Sequence, residues 1–312
     1  MTTNYPGSLD SYTTKVDGVD DVVAAHVNDL QDAVVAIEGV LGEEGNNGIC
    51  EGRLTLTSGN PVATADQTAQ TTVYFTPYKG NRISLYDGSA SWDTLHFTEK
   101  SVSVPATTNT PFDIFAYNDG GTVALEAVSW TNDTTRATAL TTQDGVYVKS
   151  GATTRRYLGT GRTTSVSGQT ENSLSKRFLW NYYHRIRLLM WVIDSTSHTY
   201  ATASYRAWNN DTSVRVNWVV GVAEIYARYE VQTGFLAASG EANGYVGLGI
   251  DTASTSSLSQ PALAAPVANL YHLASFKAAA ASLGAHYAQI VEFGGAPSPD
   301  FLTAQAIVEI EG

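Results

Sequence analysis

The sequence has little cysteine, methionine or charge. Cys50 is the single cysteine among 312 residues, which excludes an intrachain disulfide and a metal site built on cysteines. It is interpreted either as a small, half-buried residue or as one of three thiols that meet near a trimer axis. Charged residues make up only 15% of the chain, and methionine occurs twice. Stability must therefore come from packing or from assembly.

Long apolar runs are also missing. No stretch of about 18 apolar residues occurs, and the opening MTTNYPGSLDSYTT lacks the basic start and apolar core of a signal peptide. We therefore expect a soluble chain that is synthesised in the cytoplasm and is not inserted in a membrane. If it acts outside a cell, it must leave by lysis.

Basic residues are few and scattered. The formal net charge is −12, and the pairs Arg155–Arg156 and Lys176–Arg177 are isolated from other cations in the sequence. Binding to nucleic acid through its phosphates needs clustered Lys and Arg side chains. The sequence therefore predicts no nucleic-acid partner.

What the chain does contain favours strands and turns. Thr, Ser, Ala, Gly, Val and Tyr dominate the composition, and apolar and polar residues alternate in short segments. We predict a mainly β protein, with a small antiparallel β domain over 72–150 and a larger, jelly-roll-like β-sandwich over 151–312. The Ala-rich segment Ala262–Ala281 is predicted to be a short helix or a loop that crosses the sandwich.

The N-terminal part is organised differently. Residues 1–18 show no periodicity and are predicted to form an extended arm, whereas residues 19–45 show helical periodicity and residues 46–71 form a linker. Within the helix, apolar residues follow a 4-3-4-3-4 spacing that places them on one seam: Val23, Val27, Leu30, Val34, Ile37 and Leu41.

This seam has two interpretations. An ordinary amphipathic helix packs such a stripe on its own domain, and a coiled coil packs it on neighbouring chains. We predict a coiled coil that joins three chains, because nothing globular precedes the helix and β-branched residues fill most seam positions. A helix this short is marginal alone, so the main association is expected further along the chain.

No sequence motif for catalysis or for binding a cofactor or metal is found. The segment Gly244–Asp251 contains G-x-G but lacks the third glycine and the following helix of a dinucleotide site, so its glycines are interpreted as points of close backbone approach or a bulge in a strand. We predict no catalytic residue, no cofactor and no metal, and therefore a protein that is not an enzyme. The histidines lack metal-ligand spacing and are scattered: His26, His96, His184, His198, His272 and His286.

One enzymatic alternative stays open. Two carboxylates at a suitable separation hydrolyse glycosides, and separation in space is not visible in a sequence. The candidate carboxylates are Asp93, Glu99, Asp113, Glu126, Glu224 and Glu230.

The second half is rich in aromatic residues. Most are expected in the core, and any that are exposed would suit stacking on sugar rings. The residues concerned are Trp180, Tyr182, Tyr183, Trp191, Trp208 and Trp218.

Several segments resemble structural proteins of tailed bacteriophages. The opening Tyr5-Pro-Gly-Ser-Leu-Asp10, followed by the heptad stretch through Val34-Val-Ala-Ile-Glu38 and Leu41-Gly42, resembles their N-terminal arm and trimer-forming helix. Further similarity lies in Thr76-Pro-Tyr-Lys-Gly-Asn81 with Leu85-Tyr-Asp-Gly88 and Trp92, and in Arg156-Tyr-Leu-Gly159 through Lys176-Arg-Phe-Leu-Trp-Asn-Tyr-Tyr183. The resemblance covers residues 5–45 and 72–225.

This resemblance implies a homotrimeric structural protein on the virion surface. The expected role is a tail fibre or spike that docks to tail or baseplate proteins through an arm anchored by Tyr5, Pro6 and Leu9. Its β-rich end would attach to a host surface glycan or receptor. One alternative is a head fibre or capsid decoration protein that docks to capsid proteins, and another is a particle-borne enzyme that degrades glycans.

Overall fold

The protein is mainly β in the computed structural model, which describes residues 24–38, 47–236, 243–263, 270–295 and 298–312. Within these residues there is a single α-helix, α1 (Ala24–Glu38). The predicted mainly β class is thereby confirmed. The predicted arm over 1–18 lies outside the described residues, whereas α1 lies inside the helix predicted over 19–45.

The first part of the chain builds three antiparallel sheets. A hairpin pairs β4 (Arg82–Tyr86) with β5 (Trp92–His96). The three-stranded sheet has the spatial order β1 (Gly52–Thr55), β3 (Thr72–Pro77), β6 (Lys100–Ser103). The six-stranded sheet has the order β8 (Thr122–Ser129), β7 (Pro111–Asp119), β11 (Ala152–Arg162), β10 (Val146–Lys149), β9 (Leu140–Gln143), with β14 (Leu179–Asn181) also paired to β11.

These sheets share one apolar core. Phe75 and Ile83, from the three-stranded sheet and the hairpin, pack in the same buried cluster as Phe112, Ile114 and Leu158 of the six-stranded sheet. The six-stranded sheet includes both β7 and β11, so its strands lie on both sides of the boundary predicted between residues 150 and 151.

Two larger sheets are formed mainly by the second part. The eight-stranded sheet has the order β2 (Gln67–Gln70), β12 (Thr170–Asn172), β13 (Lys176–Arg177), β18 (Arg215–Val220), β23 (Gly284–Phe293), β20 (Asn243–Ile250), β21 (Leu258–Leu263), with β17 (Tyr205–Ala207) also on β23. The five-stranded sheet has the order β15 (Arg187–Asp194), β24 (Asp300–Glu311), β19 (Tyr226–Leu236), β22 (Leu270–Ala280), with β16 (His198–Thr199) also on β24. A 3-10 turn spans Trp208–Asn210.

The two larger sheets pack face to face in a sandwich-like arrangement. Val216 and Trp218 of β18 lie in one buried cluster with Met190 of β15, Tyr229 of β19 and Val308 of β24. Because side chains alternate between the faces of a strand, each of these strands also presents a second set of residues away from this core.

The Ala-rich segment differs from its prediction. The part of Ala262–Ala281 that the structure describes contains no helix, and its second half is strand β22. This strand pairs with β19 from Leu236↔Leu270 to Tyr226↔Ala280. A long neighbouring strand supplies the backbone hydrogen bonds that a helix would otherwise make internally, so pairing overrides the helix propensity of alanine.

No helix among the described residues has the length and apolar character needed to cross a membrane.

Candidate functional site

The predicted helix seam is exposed where the structure describes it. Val27, Leu30, Val34 and Ile37 lie on α1 and are exposed at 47%, 60%, 44% and 40%. The helix residue Ala33, by contrast, is buried. An apolar stripe exposed on a short helix is unusual unless another surface covers it. The seam residues Val23 and Leu41, and the anchor residues Tyr5, Pro6 and Leu9, lie outside the described residues.

A second exposed apolar surface is the outward face of the five-stranded sheet. In β15, Leu188 and Met190 point into the core, whereas Leu189, Trp191 and Ile193 are exposed on the other face. The inward and the outward positions of β15 are both apolar, so both faces of this strand are hydrophobic. A strand buried on one face only would carry polar residues at the outward positions.

Residues from four strands align across this face. Trp191 of β15 is paired with Ile307 of β24, Ile307 with Glu230 of β19, and Glu230 with Phe276 of β22. Phe276 is 73% exposed. Cross-strand neighbours lie about 5 Å apart. The indole of Trp191 and the ring of Phe276 are therefore at the two ends of this row, on the same face of the sheet.

The next row forms a shallow depression of about 210 Å³. The amides of Gln232 and Gln305 lie in its floor, since Gln232 is paired with Gln305 across β19 and β24. Ile193 and Ala274 flank them. The face thus combines apolar side chains with amides, an arrangement suited to contact with another surface.

The aromatic residues separate into core and surface. Trp180, Trp208 and Trp218 are fully buried, which agrees with the expectation that most are core. Trp191 is the exception among the predicted tryptophans, at 36% exposure. Sequence alternation alone does not identify it, because β15 is apolar on both faces.

Each carboxylate considered for glycoside hydrolysis has a partner in the protein. Asp113 accepts hydrogen bonds from Arg136 at 2.6 Å and from Thr160 at 2.7 Å, deep in the structure. Glu126 binds Lys149 and Arg155. The remaining contacts join Glu99 to Ser58 and Thr76, Glu224 to Arg185 and Tyr147, Glu230 to Arg228 and Gln232, and Asp93 to Asn118.

Two histidines pair with carboxylates that are distant in sequence. His198 bonds to Glu292, which is fully buried and also binds Arg206 at 2.6 Å. His286 lies 2.8 Å from Asp251. No periodic signal in the sequence indicates either pair. In the part of the chain that the structure describes, no group of three or more His, Cys, Asp and Glu side chains is placed to hold a metal ion.

Cys50 and two glycines of β20 are closely packed against neighbouring atoms. Cys50 is buried, and burial raises the pKa of its thiol to about 11. Within β20, a Cβ at Gly247 would lie 2.4 Å from the carbonyl oxygen of Leu258, and one at Gly249 would lie 2.2 Å from that of Thr252. The interpretation that these glycines permit close backbone approach is confirmed.

The comparisons with known proteins identify no family. No protein-family model matches the chain, and no curated protein matches it either. Among solved structures, the insecticidal delta-endotoxin Cry8Ea1 from Bacillus thuringiensis superposes with a TM-score of 0.26 and 5% identity, over 82% of this chain and 51% of the toxin chain. A chain of infectious bursal disease virus, Gx strain, gives a TM-score of 0.28 and 9% identity, over 80% of this chain and 72% of the viral chain.

A second toxin structure superposes on this chain with a similarly low TM-score. The mosquito-larvicidal Cry4Aa toxin from Bacillus thuringiensis gives a TM-score of 0.24 and 8% identity, over 82% of this chain and 50% of the toxin chain. The chain therefore spans about half the length of the two toxin chains. At TM-scores this low, the likenesses carry no argument about fold, function or partners.

Proposed function

We propose that the chain is a non-enzymatic structural subunit of a tailed-phage particle, a homotrimeric fibre or spike with an N-terminal arm that docks to the particle. The observation that carries the proposal is the exposed seam of α1, on which Val27, Leu30, Val34 and Ile37 follow coiled-coil spacing. The phage-like segments on both sides of this helix add the assignment to a virion.

Covering the seam contributes to the stability of the proposed trimer. Full burial of a Val, Leu or Ile side chain contributes about 1.5–3 kcal/mol relative to full exposure. Four partly exposed seam side chains on each of three helices therefore supply enough free energy to offset part of the entropy cost of association. The outward face of the five-stranded sheet, with Trp191 and Phe276, offers further apolar area for contact.

The trimer is tested by light scattering on the full chain and on two matched variants. Val34→Glu places a carboxylate on the seam, whereas Val35→Glu makes the same change one position away, at an exposed residue that is not part of the seam. We expect a trimer for the unchanged chain and for Val35→Glu, and a trimer that dissociates at higher protein concentration for Val34→Glu. A monomeric unchanged chain would overturn the proposal.

The position in the particle is tested by labelling purified particles with antibodies and imaging them. Label on the tail or baseplate supports a fibre or spike, and label on the head supports the alternative of a head fibre or capsid decoration protein. Particles that lack the chain would exclude a virion protein altogether.

The non-enzymatic assignment is tested with host polysaccharide. We expect the purified protein to leave the polysaccharide intact. Depolymerisation that is abolished by substituting a single Asp or Glu would show instead that the protein is a particle-borne glycan hydrolase.

A further inference from the structure

A cavity of about 280 Å³ lies where the end of β11 meets β13 and β18. Three cations line it: Arg162, Lys176 and Arg215. They are distant from one another in sequence, where Lys176–Arg177 is an isolated basic pair. The fold therefore creates a basic site that the sequence did not indicate.

Strand pairing explains how this site is built. Strand β13 runs parallel to β18, with Lys176 paired to Asn217. Arg215 and Asn217 are two residues apart on β18 and so share a face, while the intervening Val216 and the following Trp218 are buried in the sandwich core. The register thus places a lysine, an arginine and an amide side by side around the cavity.

The charge around the cavity is not balanced. Lys176 lies 2.9 Å from Glu171, and Arg162 lies 3.3 Å from Asp133, but neither of these carboxylates lines the cavity. Arg215 stacks over the ring of Tyr287 at 4.5 Å and has no carboxylate partner within the described residues. Three cations therefore line the cavity and no carboxylate from the described part of the chain does, although the formal net charge of the chain is −12.

Uncommitted polar groups surround these cations. The side chains of Asn109 and Asn217 line the cavity and make no hydrogen bond to any residue that the structure describes, and the hydroxyl of Ser213, which also lines it, bonds to Asp211. An amide offers donors and an acceptor, and a hydroxyl offers both. Asn109 and Ser213 are exposed, so the cavity is open to solvent.

We propose that this cavity binds an acidic saccharide, such as one uronic acid unit of a polysaccharide. A guanidinium and an ammonium bind a carboxylate through charge-assisted hydrogen bonds. Amide and hydroxyl groups match the donor and acceptor pattern of the ring hydroxyls. The volume is near the lower end of the range of about 300–1,000 Å³ for small-ligand sites, which suits a single sugar unit.

The inference names a ligand class for host attachment, and its biological meaning rests on the proposed function. Binding itself does not depend on trimer formation, because the residues involved belong to one chain. The two proposals can therefore fail separately. A monomer that binds the sugar would overturn the trimer alone, and a trimer that does not bind would overturn the sugar site alone.

The test is isothermal titration calorimetry of the full chain with sodium glucuronate, whose matched neutral probe is glucose. We expect glucuronate to bind at least about tenfold more tightly than glucose, and Arg215→Ala to weaken glucuronate binding at least about tenfold. Lys277→Ala removes one positive charge at an exposed position on β22 and should leave binding unchanged. Thermal melting of each variant shows that it is folded.

Four other outcomes of the titration would overturn the proposed saccharide site. Equal binding of glucose excludes recognition of the carboxylate. Acetate or inorganic phosphate that binds as tightly as glucuronate shows a general oxyanion site rather than a saccharide site. Absence of glucuronate binding, or equal loss of binding in Lys277→Ala and Arg215→Ala, removes the site. Since Arg215→Ala could disturb packing against Tyr287, Asn217→Ala provides a second variant, and it should also weaken binding of glucuronate.

Discussion

Glu292 is shared between a histidine and an arginine from different strands. It is fully buried, and its carboxylate binds His198 of β16 and the Nε atom of Arg206 of β17. The ring of His198 also stacks on Phe301. Burying a carboxylate without partners is costly, and these contacts supply hydrogen-bond donors to both of its oxygens inside the sandwich.

The first prediction concerns the pH dependence of stability. Burial disfavours protonation of His198, but the hydrogen bonds to Glu292 and to the carbonyl of Thr196, together with the negative charge of Glu292, outweigh it, and the pKa of His198 is raised above the ordinary value. The pKa of His286 is raised in the same way, since burial is outweighed by the hydrogen bond to Asp251, the charge of Asp251 and the backbone hydrogen bonds to Ser282 and Leu283 taken together. A raised folded-state pKa contributes stability below the unfolded pKa, and this contribution is lost as pH rises through the folded pKa.

We therefore expect the free energy of unfolding to fall as the pH is raised from the ordinary histidine pKa of about 6.5 through the raised folded-state values. Denaturant unfolding at fixed protein concentration measures it. His198→Asn lowers stability at every pH through lost packing, and it also makes the dependence on pH less steep. His286, still paired with Asp251, accounts for the remaining slope. An unchanged slope in His198→Asn would exclude a contribution from this histidine.

The second prediction concerns Gly249. A Cβ here would lie 2.2 Å from the carbonyl oxygen of Thr252 and 2.7 Å from that of Thr255. Since both obstacles are backbone atoms, the turn after β20 must shift, and we expect Gly249→Ala to cost about 1–3 kcal/mol of unfolding free energy. Gly48→Ala is the control, because its Cβ meets nothing within 4 Å, and it should change stability by less than about 0.5 kcal/mol. Equal values for the two variants would contradict the steric argument.

At the scale of elements, a single side chain connects two sheets. The amide of Asn181 on β14 accepts a hydrogen bond from the backbone N–H of Leu54 on β1 at 2.7 Å and donates one to its carbonyl oxygen at 3.2 Å. The side chain of Asn181 thus makes the backbone hydrogen bonds that a neighbouring strand would make, and it links the six-stranded sheet to the three-stranded sheet. The contact is buried, so water does not replace it.

The third prediction follows from this contact. Asn181→Ala leaves a buried N–H and a buried carbonyl of Leu54 unpaired, and we expect a loss of about 2–3 kcal/mol in unfolding free energy. Asn217→Ala is matched in chemistry, but Asn217 makes no side-chain hydrogen bond to the described residues, so its loss should be within about 0.5 kcal/mol. Denaturant unfolding compares the two. A cost for Asn217→Ala as large as that for Asn181→Ala would show that amide loss alone explains the effect.

The elements were predictable where local pattern and pairing agree. Alternation correctly predicted strands such as β18, in which Val216 and Trp218 are buried. It failed in the Ala-rich segment, because alanine favours helices locally and the pairing of β22 with β19 is set by residues far away in the chain. Long-range pairing of this kind has no signal within a short sequence window.

The candidate sites were predictable to different extents. The spacing of Val27, Leu30 and Val34 is local, so the sequence shows the seam directly. The cavity with Arg162, Lys176 and Arg215 depends on the parallel pairing of β13 with β18, which no sequence spacing reveals. The exposure of Trp191 likewise depends on which face of β15 meets the core.

At the scale of the whole molecule, charge and apolar surface act in opposite directions on assembly. Each chain has a formal net charge of −12, so chains repel one another at low salt. The described seam residues on α1 and Trp191 and Phe276 on the five-stranded sheet are apolar, and burying them does not depend on charge. Repulsion and attraction therefore respond differently to ionic strength.

The fourth prediction is that salt strengthens the proposed trimer. Raising NaCl from about 0.02 M to about 0.5 M shortens the screening length severalfold, which weakens repulsion between the acidic chains and leaves apolar contacts intact. We expect light scattering over a dilution series to show trimers persisting to lower protein concentration at the higher salt. The Val35→Glu variant should respond like the unchanged chain, since its carboxylate lies off the seam. Dissociation on adding salt would mean that ion pairs between chains, and not apolar contacts, hold the assembly.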